Sequence, residues 1–193
     1  PWLGNRIAHI LPHETNEIIA EQSFEFLDKY MLSPSHLNEE RQQQLKDHFD
    51  QELVQVLFEP DHEVNYRLHF RRWGDEEHEI PNALALPSGD IILTDRFVEL
   101  AENQQEIDAV LLHEIGHVVE RHSLQMLVQS TLMATVIMMI TGDTTALGDM
   151  GIGLGSILVS SHYSRTHETE ADHYAFQHML TMGIDPVAFS TIM

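Results

Sequence analysis

Apolar residues recur along this chain at two periods. Over residues 14–30, Ile18, Ile19, Phe24, Phe26 and Leu27 fall at helical spacings among acidic neighbours, and Ser33-Pro34-Ser35 supplies turn chemistry after them. Asn38 is placed to cap a second amphipathic helix running to about Leu57, with Leu45, Phe49, Leu53, Val54 and Leu57 on its inner side. From Val64 the period drops to two: Val64, Tyr66, Leu68 and Phe70 alternate with Asn65, Arg67, His69 and Arg71, as in a half-buried strand. Gly74-Asp75-Glu76-Glu77 is a charged loop. Residues 81–87 and 90–94 flank Ser88-Gly89 and read as a hairpin, its prolines at the ends where an edge strand tolerates them. Thr94 or Asp95 caps a short helix to about Ala101, and Asn103 or Gln104 opens the next.

That next helix departs from the amphipathic pattern. Ile107, Val110, Leu111, Leu112, Ile115, Val118 and Val119 spread apolar side chains over nearly every face, which marks a buried helix. Yet its middle reads His113-Glu114-Ile115-Gly116-His117, with two imidazoles one turn apart on one face and the Glu beside them. Burying such groups without partners costs about 2 to 7 kcal/mol each. A metal removes that cost. A catalytic zinc takes three protein ligands and leaves a fourth position to water, whose pKa it lowers. His113 and His117 are therefore candidate ligands and Glu114 a candidate general base. Gly116 lowers helix propensity by about 1 kcal/mol relative to Ala, so another backbone is expected to approach closely there.

Residues 164–182 read as a helix, with Gly183 as its stop. Glu168, Ala171, Asp172 and Ala175 share one stripe, so Glu168 can supply the third ligand while Asp172 accepts the second N–H of a ligating His. Small Ala171 and Ala175 suit close packing against Gly116. A metzincin-like third His is ruled out, because Glu120 and Ser123 stand where Gly and His are required. His122 follows at the wrong spacing for a ligand. Glu170, His167 and His173 lie off the stripe by about 100° per residue and stay as alternatives to Glu168. Arg165, Tyr163 and His173 are candidate donors to a developing oxyanion; Arg165 is the better candidate for an ion pair with Glu168 or Asp172. The strand Asn82, Ala83, Leu84, Ala85 and Leu86 could pair an extended substrate backbone.

Residues 123–142 carry no charged side chain but hold several Ser, Thr and Gln, which favours a buried or membrane-dipping helix over a span. The glycines at 142, 148, 151, 153 and 155 mark a loop or loosely packed helix start, and their spacing is wrong for a dinucleotide site. Met126, Met133, Met138 and Met139 read as core filling, and most of the remaining His as surface residues. A formal charge of −21 argues against nucleic acid and anionic lipid as partners, whereas unfolded or extended polypeptide is compatible. No cysteine is present, so a zinc site must be built from His and carboxylate. The fold class is α+β, mainly helical with a small, mostly antiparallel sheet. Residues 1–193 read as one catalytic domain, with a helical part over about 1–60 and a core over about 64–193. The chain opens at Pro1 and ends at Met193 within a helical pattern, as a part of a longer chain would.

Three blocks together resemble a known family: His113-Glu114-Ile115-Gly116-His117 with its apolar flanks, residues 164–172 (SRTHETEAD), and residues 82–95 (NALALPSGDIILTD). They are similar to the zinc metallopeptidases that include HtpX, the CAAX prenyl proteases and BepA, family forty-eight of the metallopeptidases. The resemblance implies a compact gluzincin fold, one zinc ion per chain on His113, His117 and Glu168, and Asp172 in support. It also implies an endopeptidase of the bacterial cell envelope, attached to a membrane by segments outside this stretch, with its catalytic domain periplasmic. Two rival readings use the same residues. In one the chain is a latent or non-catalytic, zinc-stabilised chaperone or assembly factor; in the other it is a membrane-surface module built on 123–142. Nothing in the sequence sets an oligomeric state.

Overall fold

The computed structural model describes residues 13–58, 63–75, 77–141 and 163–192. Four strands, β1 (Leu32–Pro34), β2 (Arg67–Trp73), β3 (Ala83–Ala85) and β4 (Asp90–Thr94), form one sheet in the order β1-β2-β4-β3. β1 runs antiparallel to β2 with Leu32 opposite Trp73, β3 antiparallel to β4 with Leu84 opposite Ile92, and β2 parallel to β4 with Leu68 opposite Ile91. The sheet is therefore mostly antiparallel, as expected, but two features correct the sequence reading. Turn chemistry at Ser33-Pro34 hides a short strand, and period-two alternation in β2 marks a strand without giving its direction. The hairpin turn is closed at Gly89, whose φ of +96° suits glycine and where a Cβ would lie 2.6 Å from Val64 Cγ1.

Each face of the sheet is covered. Leu68, Phe70, Ile91 and Leu93 point into the larger core, while Leu84, Leu86 and Ile92 point into a second cluster with Ala20, Leu27 and Leu127. β4 lies between β2 and β3 and is buried at every position, which explains its continuous apolar run, Ile91-Ile92-Leu93.

Helix α1 (His13–Tyr30) covers the second face through Ala20 and Leu27 and leaves Ile18 56% exposed. Helix α2 (Glu39–His48) starts at Asn38, whose side chain accepts the Arg41 N–H at 2.7 Å. The expected regular helix to Leu57 instead widens over Phe49–Val54, where the Gln55 N–H bonds the Asp50 carbonyl five residues back, before a last turn at Gln55–Leu57. A four-residue apolar repeat drifts about 40° per step in an α-helix of about 3.6 residues per turn. The wider coil reverses the drift, so Leu45, Phe49 and Leu53 all stay buried.

Thr94 caps α3 (Asp95–Leu100) and Asn103 caps α4 (Gln104–Val119), each accepting a backbone N–H three residues on. Helix α5 (His122–Thr141) buries Leu124, Met126 and Leu127 near its start but exposes Met139 at 76% and Ile140 at 78%. Met139 is thus not core filling, and among the described side chains of the uncharged segment only those near its start are buried. No helix among the described residues is long and apolar enough to cross a membrane. The glycines at 142–155 lie outside the described residues, as do the side chains of Met133 and Met138. Helix α6 (Arg165–Met182) begins at Ser164, whose hydroxyl accepts the His167 N–H at 3.2 Å, and stops at Gly183 with φ +72°. A short α7 (Val187–Ile192) returns Phe189 against His113, ring centroids 5.4 Å apart.

Candidate metal centre

The centre lies where α4 and α6 cross. A Cβ on Gly116 would meet Ala171 Cα at 3.1 Å and its carbonyl oxygen at 3.2 Å, and Ala171 and Ala175 are fully buried. The absent side chain on one helix and the small ones on the other let the backbones approach, which lowers Glu168 onto the two histidines.

His113 Nε2 and His117 Nε2 face each other at 3.0 Å. Glu168 Oε2 stands 3.5 Å from the first and Glu168 Oε1 3.9 Å from the second. One ligand atom from each residue fits within 4.8 Å of the others. The outer nitrogens are turned away: His113 Nδ1 lies 3.0 Å from Asp172 Oδ1, near in distance but off the line of a good hydrogen bond, and His117 Nδ1 lies 2.9 Å from His122 Nδ1. Two ring nitrogens and a carboxylate thus converge on one point, an arrangement that could hold a cation. Two His and one carboxylate form a donor set suited to zinc.

The electrostatics point the same way. Burial lowers the pKa of His113 against the opposing charge of Asp172, and burial together with His113, His122 and His167 pushes His117 down to about 2. Both rings are neutral at pH 7, the form that ligates a metal. Burial pushes Glu114 up to about 8, against a hydrogen bond to the Ala85 backbone, with the Glu168 charge adding to the rise. A cation beside Glu114 would favour the ionised form that a general base needs.

The hydrogen bond to Glu114 also defines the strand edge. Among the described residues β3 ends the sheet. Asn82 and Leu86 turn their backbone groups toward β4, through Thr94 N–H to Asn82 O at 3.0 Å and Leu86 N–H to Asp90 O at 2.8 Å. By alternation Ala83 and Ala85 present theirs outward. The backbone of Ala85 bonds Glu114, and its carbonyl accepts the Ser123 hydroxyl at 3.4 Å. Of the strand residues Asn82, Ala83, Leu84, Ala85 and Leu86 expected to pair a substrate, Ala83 is the one whose outward N–H and C=O have no partner among these contacts.

Of the other candidates, Tyr163 stacks on His117 at 3.9 Å between centroids, and its hydroxyl is 2.9 Å from Ser123 Oγ. Burial raises the Tyr163 pKa. Its place is under the His117 ring. Arg165 is exposed on the first turn of α6, and the ion pair expected with Glu168 or Asp172 is absent among the described residues. Arg165 shares a face with Glu168 three residues on, but as the first residue of the helix its long side chain stands in water, where holding one geometry gains little. His173 is exposed. Sequence reasoning weighed His122, His167 and Glu170 only as ligands, yet His122 is fully buried, stacked on His167 at 4.4 Å and bonded to Glu170 Oε2 at 3.1 Å. Their signal was a His five residues past His117, beyond the reach of helix-periodicity arguments.

Comparison with known proteins agrees. The chain is 29% identical over 132 residues to metalloprotease LoiP of Escherichia coli, which covers 66% of this chain and 49% of that protein. It is 27% identical over 112 residues to mitochondrial metalloendopeptidase OMA1 of Schizosaccharomyces pombe, covering 58% of this chain and 33% of the relative. A third relative, the beta-barrel assembly-enhancing protease of Yersinia pestis, is 27% identical over 122 residues, covering 58% and 25%. The chain spans half or less of each of these proteins. The sequence profile of peptidase family M48 matches residues 39–193, and the chain belongs to that family.

Proposed function

We propose that this chain is the catalytic domain of a zinc-dependent endopeptidase that cleaves unfolded or extended polypeptide. The observation that carries the reading is the convergence of His113 Nε2, His117 Nε2 and the Glu168 carboxylate beside buried Glu114. Held by His113, His117 and Glu168, one zinc ion would polarise the scissile carbonyl and lower the pKa of the attacking water. Glu114 accepts the proton from that water and delivers it to the leaving amine nitrogen, a role worth about 10²–10⁴-fold in rate. Asp172 lies 3.0 Å from His113 Nδ1, so a small turn of the ring would bring Nδ1–H onto its carboxylate and leave Nε2 free of a proton. Ala83 pairs the substrate backbone in an extended form, placing its next peptide groups toward Glu114.

For the whole protein we propose quality control at a bacterial cell envelope, with membrane attachment outside this stretch and the domain on the periplasmic side. Its support is the family and a relative named for β-barrel assembly. The test is hydrolysis of casein by wild type and Glu114→Gln at equal, verified zinc content. Cleavage by the wild type alone supports the reading. Absence of cleavage by both, with zinc bound in both, would make the centre a structural one and favour the chaperone alternative.

A further inference from the structure

The two ligand rings are supported differently. His113 meets a carboxylate directly, with Asp172 Oδ1 3.0 Å from its Nδ1. His117 meets a second imidazole, 2.9 Å from its Nδ1, and behind that ring lies Glu170, with Oε2 3.1 Å from His122 Nε2. Resting on the proposed metal site, we infer that His122 and Glu170 are positioning residues that hold His117 in the tautomer whose Nε2 lone pair faces the metal.

Counting protons supports this order. An ionised Glu170 only accepts, so His122 Nε2 carries a hydrogen. A neutral His122 then presents a lone pair at Nδ1. The 2.9 Å contact between the two Nδ1 atoms needs a single proton, which His117 supplies. His117 Nε2 is left as an acceptor, facing His113 Nε2 and Glu168. A doubly protonated His122 would reverse the chain, placing the His117 proton on Nε2 and aiming it at the metal position. Complete burial of His122 and the stacking of its ring on His167 disfavour that charge.

The backbone builds this contact at a strained point. In a continuous helix, a residue five positions after His117 would lie about 140° round the axis at 3.6 residues per turn. Here α4 ends at Val119, and Arg121 adopts φ +56°, the one non-glycine positive φ among the described residues. That reversal starts α5 at His122 and returns its ring to His117, with the Gln125 side chain bonding Glu120 O at 2.8 Å across the junction. A strained non-glycine conformation persists where surrounding contacts over-determine it.

The test reads ring nitrogens and zinc affinity on the whole chain. Long-range ¹H–¹⁵N correlations should show His117 protonated on Nδ1 in the zinc-free protein. In His122→Leu the tautomers should mix, and zinc affinity measured against a chromophoric chelator should fall about 10–100-fold. His122→Asn keeps an amide oxygen near the lost Nδ1 and should restore the tautomer and most of the affinity. Glu170→Ala, at a half-exposed position that leaves folding intact, should weaken zinc by about tenfold. A His117 protonated on Nε2 in the wild type, or unchanged tautomer and affinity in both His122→Leu and Glu170→Ala, overturns the inference. A wild type with the Nδ1 proton in place that takes up no zinc would support the relay and sink the metallopeptidase reading instead.

Discussion

Among the described residues, two of the buried clusters of histidine and carboxylate are built differently. At Asp90, Oδ1 accepts from Arg67 Nε and His69 Nε2, both at 2.7 Å, while Oδ2 accepts from Arg67 Nη2 at 2.7 Å and the Ser88 hydroxyl at 2.6 Å. Every lone pair has a donor from the protein. At the centre between α4 and α6, one ligand atom each from His113, His117 and Glu168 instead gather within 4.8 Å of one another. The first cluster is complete as a structure. The second gathers ligand atoms that a cation could join, and that difference in arrangement, more than burial or residue type, separates a structural network from a candidate site.

The comparison can be broken most severely at Glu114. Replacement by Gln keeps the shape and removes the base, so casein hydrolysis should fall by about 10²–10⁴-fold with zinc retained. Equal rates in the two proteins would show that Glu114 carries no proton.

At the satisfied cluster the effect should appear in stability instead. Asp90→Asn leaves Arg67 and His69 without their carboxylate and should cost about 2–3 kcal/mol by denaturant titration, leaving zinc affinity unchanged. Burial would raise the Asp90 pKa, but hydrogen bonds from His69, Arg67 and Ser88 outweigh it and hold the carboxyl well below its usual range. The sign follows from that depression. The contribution is fully present above about pH 4, the unfolded value, and is lost as pH falls toward the folded one. The gap between wild type and Asp90→Asn should therefore narrow below about pH 4; a gap that widens in acid would contradict the assignment.

Gly116→Ala sharpens the contrast, because it disturbs the spacing of α4 and α6 and leaves both polar clusters chemically intact. Overpacking against Ala171 should cost about 1–3 kcal/mol, and the better helix propensity returns about 1 of it. Thermal melting should drop accordingly, with weaker zinc binding as Glu168 moves off; a stabilised variant would show that the contact yields. The smallest effect is expected at the strand edge. Ala83→Pro removes one outward N–H and should raise KM for an extended peptide by roughly threefold to tenfold, one hydrogen bond's worth, with kcat little changed. An unaltered KM would place the substrate elsewhere.

Local chemistry carried much of this into the sequence. Asn38, Thr94, Asn103 and Ser164 cap the helices where their side chains can reach an N–H three residues on, and Gly183 stops α6. Gly116 between His113 and His117 announced a close approach, and Ala171 supplies it. Those features are legible because each depends on neighbours within a turn or two. β1 was not, because a three-residue strand beside a proline has no periodicity to show, and neither was the parallel pairing of β2 with β4.

By itself the sequence determined the helix that carries His113, Glu114 and His117, the stripe that carries Glu168 and Asp172, and the hairpin that carries Ala83. Spacing along one element sets which side chains share a face, so those groupings needed no coordinates. The tertiary structure alone decided which groups from different elements meet: Glu168 over the histidines, Ala85 on Glu114, Ser123 on Tyr163, and His122 with Glu170 behind His117. These contacts depend on helix crossing and on a two-residue reversal at Arg121. Both follow from packing over the whole core, whereas periodicity reaches no further than one element.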